Sequence, residues 1–415
     1  MKKKLIWLLL AFAMTAQAAT FDATTSAPPQ IKPLQQQSQA AHLSAELLTR
    51  YHYQPMALND AMSEKIFDRY LKSLDPEKIF FLQADIDRFS KARTQLDDAI
   101  LKEDLNIPFA MFNLYEQRIA ERFTYARALL KQGFDFTQKE GYQYEREKMP
   151  WLTSEDDMRD VWRKRVKNDW LRLKLAGKDN KSIGDTLDKR YNNYLTRIAK
   201  LKSDDVFQTF MNAYATTIEP HTNYLGPSAS ENFDIAMKLS LVGIGAVLQE
   251  KDEYTTIREL VPGGPAALSG KLKIGDRIVG IRQGEKGAMT EVLGWRLDDT
   301  VALIRGTADS VVFLDVFPAD AGPDGKHRLV SLTRKKISLN QQAAKKAILD
   351  VKDGNATRRI GVISLPTFYQ DFSARQKGDP DFRSATRDVS RLLTELKQDK
   401  VDSVLIDLRN NGGGS

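Results

Sequence analysis

The sequence predicts a multi-domain α+β protein with a helical N-terminal domain, a β-rich module, and the start of an α/β core that is incomplete. Three observations carry this expectation. Apolar residues recur at helical spacing through residues 40–232. Short β-type runs separated by Gly, Pro and Asp fill residues 233–339. A strand–helix–strand pattern occupies residues 340–415. A chain of 415 residues has room for several such cores.

At the N-terminus, Lys2, Lys3 and Lys4 precede the apolar run "LIWLLLAFAM" and the small-residue site "AQA". This is the pattern of a signal peptide over residues 1–18, cleaved after Ala18, with an apolar core too short to span a bilayer comfortably. Export to the periplasm follows as the expected location, and with no cysteine the chain uses no disulfides there. Residues 19–39, rich in Ser, Thr, Pro and Gln, read as a disordered linker.

The helical domain contains two informative stretches. In "LDPEKIFFLQADIDRF" Asp75 reads as an N-cap, Pro76 as the first helical residue, and Ile79, Leu82 and Ile86 as one face. In "DMRDVWRKRVKNDWLRLKL" Trp162, Val166, Trp170 and Leu173 share a face, and the basic residues between them read as its solvated side.

The β-rich module is read from "LVGIGAVLQ", "YTTIREL", "DRIVGIR", "VVFLDVF" and "RLVSLTR", with helical pieces at "GPAALSG" and "LDDTVALIRG". The turn "LVGIG" can aim successive backbone N–H groups at one carboxylate. The strand after it can pair with an extended peptide, with the helix "LDDTVALIRG" as the other wall. The candidate peptide-binding residues are therefore Gly243 and Gly245 for their amides, and Leu241, Ile244 and Val301 for an apolar pocket. A β-bulge leading into an ordinary strand is the alternative local reading.

In residues 340–415 the strand "RIGVISL", a helix over about 385–397 and the strand "VDSVLIDL" form a β–α–β unit, followed by "RNNGGG". Exposed amides after a parallel strand can hold an oxyanion, which makes Gly412 and Gly413 the candidate donors. Two parallel strands cannot cover both their faces, so this domain reads as truncated and its turn as poorly held.

Several chemistries lack support. The net charge of +7 is spread along the chain without a basic stripe, so no nucleic-acid partner is expected. The four His are not at metal-ligand spacing and no Cys exists, so no metal or cofactor is expected. No G-x-S-x-G occurs, "GIGAVL" lacks the third glycine of a dinucleotide fingerprint, and "NNGGGS" lacks the lysine of a phosphate loop.

The ordered series "LDPEKIFFLQADI", "EPHTNYLGP", "SLVGIGAVLQ", "VPGGPAALSGKLKIGDRIVGI", "GWRLDDTVALIRG" and "DLRNNGGG" strongly resembles the tail-specific, or carboxyl-terminal processing, proteases of the periplasmic Prc type. The likeness covers nearly everything after the signal. It departs at Glu219, where the family usually has Asp, and at Val242, where an acidic residue is frequent. The resemblance implies a PDZ-like module at 233–339 that captures apolar C-terminal tails, and a serine endopeptidase core using a Ser nucleophile and a Lys base. Both catalytic residues are then expected beyond residue 415, with none in this chain. Ser415 lacks a positioned base, and the chain alone is expected to be inactive. The resemblance also implies an outer-membrane lipoprotein adaptor docking on the helical domain. A non-catalytic PDZ scaffold or decoy is the alternative from another class.

Overall fold

The computed structural model describes residues 30–321 and 325–415, and the expected signal peptide lies outside them. The chain divides into two units, one up to Thr222 and one from Asn223.

In the first unit, helical apolar spacing produces α1 (Gln35–Tyr51), α2 (Asp60–Leu74), α3 (Gln83–Arg88), α4 (Leu96–Leu101), α5 (Asn106–Gln132), α6 (Glu155–Leu175), α7 (Asn180–Ala199) and α8 (Ser203–Ile218). Trp162, Val166 and Trp170 of α6 are buried against Ile119 and Phe123 of α5 and Ile183 and Leu187 of α7. The indole N–H of Trp162 donates to the Ile79 carbonyl at 2.7 Å, so the largest buried ring leaves no polar atom unpaired. The basic residues between Trp162 and Trp170 are half-buried rather than freely solvated, and ion pairs hold Arg163 on Glu140 and Asp160, Lys164 on Asp160, and Lys167 on Glu140.

Two further expectations fail here. The stretch after Asp75 is not a helix. Proline at 76 disfavours the helical region for the residue before it, so α2 stops at Leu74. The Asp75 carboxylate, 1% exposed, then accepts the N–H groups of Ile79, Phe80 and Phe81 at 2.9, 2.8 and 2.9 Å. Only Gln83–Arg88 is helical, and there Asp85 accepts the Leu82 N–H at 3.0 Å. The expected linker also ends early. Residues 35–39 already belong to α1, and Ile31 and the Asn113 side chain exchange two hydrogen bonds of 2.9 Å.

The second unit begins with α9 (Pro227–Lys238), which runs across the expected boundary at 232/233. Its strands are β1 (Ser240–Gly243), β2 (Ala246–Lys251), β3 (Tyr254–Leu260), β4 (Arg277–Gln283), β5 (Met289–Glu291), β6 (Val311–Phe317), β7 (Arg328–Thr333), β8 (Lys335–Ser338), β9 (Lys345–Asp353), β10 (Ala356–Ser364) and β11 (Ser403–Asp407). The helices among them are α10 (Pro265–Ser269), α11 (Leu297–Ile304), α12 (Phe372–Gln376) and α13 (Ala385–Gln398). A six-stranded sheet runs β2-β3-β4-β6-β7, with β5 on β4. Alternate residues Val312, Leu314 and Val316 of β6 turn inward onto Ile257, Ile278, Ile281, Val330 and Leu332, the period-2 pattern of a sheet with one covered face.

The run "LVGIGAVLQ" is two strands rather than one. Gly245 adopts φ +74°, which breaks the run, so β1 pairs antiparallel with β8 while β2 pairs with β3. The last sheet has three strands, β11-β10-β9, rather than the two expected: β10 is parallel to β11 and antiparallel to β9. Helix α13 covers part of it, with Leu392 and Leu396 buried alongside Ile363.

Candidate functional site

The peptide-binding candidates are divided: Leu241 and Gly243 lie on β1 of the two-stranded β1-β8 sheet, Ile244 and Gly245 in the loop to β2 of the six-stranded sheet, and Val301 on α11. β2 is the edge strand of the six-stranded sheet, paired among the described strands with β3 alone, which leaves its other side free of strand pairing. Helix α11 packs beside β2, with Leu303 resting on the module core and Thr300 and Ile304 buried. The loop between β1 and β2 closes one end of this groove. Its carbonyls point into the fold: Ile244 accepts from the Ala266 N–H at 2.7 Å, and Gly245 from the Val261 N–H at 2.9 Å. The N–H groups of Ile244 and Gly245 have no hydrogen-bond partner among the described residues. Gly245 is dictated by both backbone and space, because a Cβ there would lie 2.9 Å from the Gly264 Cα.

The side chains divide. Leu241 and Val301 are half-buried. Ile244 is 3% exposed and belongs to the module core, so it supports the loop from beneath instead of presenting an open apolar surface. Gly243 ends β1 opposite Lys335.

One residue that sequence reasoning missed holds this wall in place. The Arg334 guanidinium, in a residue 2% exposed, donates to the carbonyls of Ile304 (2.7 Å) and Leu303 (3.0 Å) at the end of α11. It also donates to Gln283 Oε1 (2.6 Å) and Ser310 Oγ (2.9 Å). All four acceptors are neutral, and burial lowers its pKa from the usual arginine value. The only sequence signal was a charged residue directly after the alternating run "RLVSLT", which reads equally well as a solvated strand end.

The second candidate, the turn after β11, is strapped to the loop after β10, contrary to the expectation of a loosely held end. Asn411 Nδ2 donates to the Leu365 carbonyl at 2.8 Å, Phe368 N–H to the Gly413 carbonyl at 2.9 Å, and Ser415 N–H to the Phe368 carbonyl at 3.1 Å. The Gly413 N–H donates to Asn411 Oδ1 at 2.8 Å, so it is already engaged, whereas Gly412 is exposed and its N–H has no partner among the described residues. Asp407, ending β11, is held down to a pKa of about 2 by the Arg409 side chain and N–H. Ser415 is exposed, and no Lys or His is hydrogen-bonded to it among the described residues. No group of His, Asp and Glu is disposed to hold a metal ion among those residues.

Comparison with known proteins places these elements. Three family models match in succession: the tail specific protease N-terminal domain over residues 44–228, the PDZ domain over 233–316, and peptidase family S41 over 359–415. The tail-specific protease of Haemophilus influenzae is 39% identical over 93% of this chain and 53% of its own length. The chloroplastic C-terminal processing peptidase of Tetradesmus obliquus is 26% identical over 59% of this chain and 50% of its own. A crystal structure of the PDZ domain of the carboxy-terminal protease from Vibrio cholerae in complex with peptide is 55% identical, covers 24% of this chain and 100% of that one, and gives a TM-score of 0.23.

Fold and matches agree on a PDZ-like β module between a helical unit and a segment similar to peptidase family S41. In sequence and in domain order the chain corresponds to the N-terminal portion of the tail-specific proteases. The chain spans about half the length of the curated relatives it matches.

Proposed function

We propose that this chain is the substrate-capturing portion of an exported serine endopeptidase that acts on proteins with apolar C-terminal tails. The observation that carries the reading is the open edge of β2 beside α11, closed at one end by unpartnered N–H groups at Ile244 and Gly245. A peptide entering as an added strand gains backbone hydrogen bonds along β2, and its terminal carboxylate meets the loop amides. Leu241 and Val301 flank its last side chain, and an apolar residue there costs the peptide least to desolvate.

Gly412 supplies an oxyanion donor, and the nucleophile and its Lys base lie C-terminal to Ser415. The 415-residue chain is therefore inactive by itself. The periplasm is its location, reached through the signal at residues 1–18, and the helical unit receives a lipoprotein adaptor. Among the described residues no helix is long and apolar enough to cross a membrane.

The test is a titration of the whole chain with a peptide ending in apolar residues, as free acid and as amide. Charge-assisted hydrogen bonds to the carboxylate are worth about 1.5–3 kcal/mol, so the amide should bind roughly 10- to 100-fold more weakly. Equal affinity for the two would remove the carboxylate site. A parallel digestion of an unstructured reporter by this chain, and by a version extended through the following reading frame, tests the catalytic assignment. Cleavage by the 415-residue chain that Ser415→Ala abolishes would relocate the nucleophile.

A further inference from the structure

The helical unit contains a carboxyl group that the peptide groove does not use. Glu116 lies on α5, is 5% exposed, and has neither a salt bridge nor a hydrogen bond among the described residues. It lines a cavity of about 440 Å³, within the range of small-ligand pockets. Ile31, Pro33 and Phe109 give the cavity apolar wall, and Lys32 and Arg88 contribute its cations. A buried carboxylate without a donor is costly, and the ordinary remedy inside a fold is a paired cation or several N–H groups. Asp85, on α3, shows that remedy in full, with Arg118 on both its oxygens at 2.9 and 2.7 Å. Glu116 has open space where its partner would be.

From this pairing of an unpartnered buried carboxyl with an apolar-walled cavity, we propose that the helical unit has a binding site for a protonated alkyl amine. The ammonium sits on Glu116 and the alkyl stem lies against Ile31, Pro33 and Phe109. A lysine side chain and a free small amine share this chemistry. A carboxylate ligand is disfavoured at the base of the cavity by Glu116 itself. The two lining cations do not cancel the site: both are exposed, and neither forms a salt bridge with Glu116.

The site carries its own pH dependence. Burial pushes the Glu116 carboxyl up to about 7. The other charged groups lining the cavity are Lys32 and Arg88, and on the neighbouring turns Arg118 is committed to Asp85 and Glu121. Amine binding therefore has to expel a proton at or below neutral pH. Alkyl amines remain protonated to about pH 10, so affinity should rise about tenfold between pH 6 and pH 8.

The experiment is calorimetric titration of the whole chain with pentylammonium chloride, with 1-pentanol as the uncharged isostere. Nα-acetyl-lysine amide in a third arm distinguishes a peptide lysine from a free amine. The site requires that pentylammonium bind at least tenfold more tightly than pentanol, more tightly at pH 8 than at pH 6, and with protons released to the buffer at pH 7. Binding of the lysine amide assigns the site to lysine side chains, and its failure beside a positive pentylammonium result assigns it to small amines. Glu116→Gln should abolish the preference for amine over alcohol while circular dichroism and melting show an intact fold. Should that variant misfold, Phe109→Leu, which alters the stem wall and keeps the carboxyl, should weaken pentylammonium severalfold without removing the proton release. Equal binding of pentanol and pentylammonium, or an affinity that does not change with pH, would overturn the proposal. The outcome is independent of whether peptides enter the groove at β2.

Discussion

Asp75 shows how one side chain replaces a secondary-structure element. The sequence motif supports two geometries, because an Asp before Pro suits an N-cap and also suits a turn whose amides the carboxylate collects. The second prevails because Ile79, Phe80 and Phe81 are all buried and need both their side chains inside and their N–H groups satisfied. Asp75→Ala would leave three buried donors without an acceptor, and a loss of about 3 kcal/mol or more in the unfolding of the helical unit is expected in urea titration. Asp75→Asn keeps two acceptor lone pairs and should lose less. Glu116 gives the opposite sign. Its carboxyl is raised to about 7 by burial, so its contribution to stability is fully present below the unfolded value of 4.5 and is lost as pH rises through 7. The wild-type helical unit should therefore weaken by about 1–3 kcal/mol from pH 5 to pH 8, and Glu116→Gln should flatten that slope. A slope unchanged by the substitution would assign the pH dependence to other groups. Gly245 is fixed by φ +74° and by its approach to Gly264. Gly245→Ala should cut peptide affinity at least tenfold, because the loop amides would have to move to admit the methyl group.

Among elements, legibility followed periodicity. The buried stripe of α6 and the strands β3, β4, β6 and β7 were readable because apolar residues recur at their proper period. β9 was missed for a physical reason: only Lys346 and Ile348 are half-buried, and the rest of the strand is exposed and mostly charged, so its alternation is weak. The available signal was the turn. Gly354 and Asn355 connect Asp353 to its partner Ala356 as a two-residue hairpin loop, with Gly354 at φ +61°. Gly412 and Gly413 were readable as a turn, but which amide remains open depended on the Asn411 side chain, and no pattern specifies that rotamer. Arg334 was unreadable because its role depends on where α11 ends in space. That role gives a prediction for the element. Arg334→Lys replaces a planar fork by a point donor that cannot serve Ile304, Leu303, Gln283 and Ser310 together. Peptide affinity at the groove should fall three- to tenfold as α11 loosens. Lys335→Ala, next in sequence but exposed and paired with Asp309, should leave it unchanged.

For the whole molecule the decisive feature is the sheet β11-β10-β9. Its edge strand β11 exposes Val404, Leu405 and Ile406 by 43%, 54% and 48%, and Leu349 and Val351 on β9 are exposed by 51% and 43%. A parallel pair is normally covered on both faces, and here α13 covers only part of one. The peptidase match runs over residues 359–415, and the relatives extend to about twice this length. The proposed reading of this chain as part of a longer peptidase implies that further strands of that core would pair β11 and cover these side chains. An apolar strand edge of this kind also templates association between copies. The 415-residue chain should bind a hydrophobic dye such as ANS and sediment as a concentration-dependent mixture. Replacing Leu405 by Lys on the open strand should reduce both effects while leaving the peptide groove intact. The version extended through the reading frame should bind little dye and sediment as one species at the same concentration. If the two versions bind dye equally, then β11 is not the edge that the rest of the protease core completes, and the reading of Gly412 as one wall of its active site falls with it.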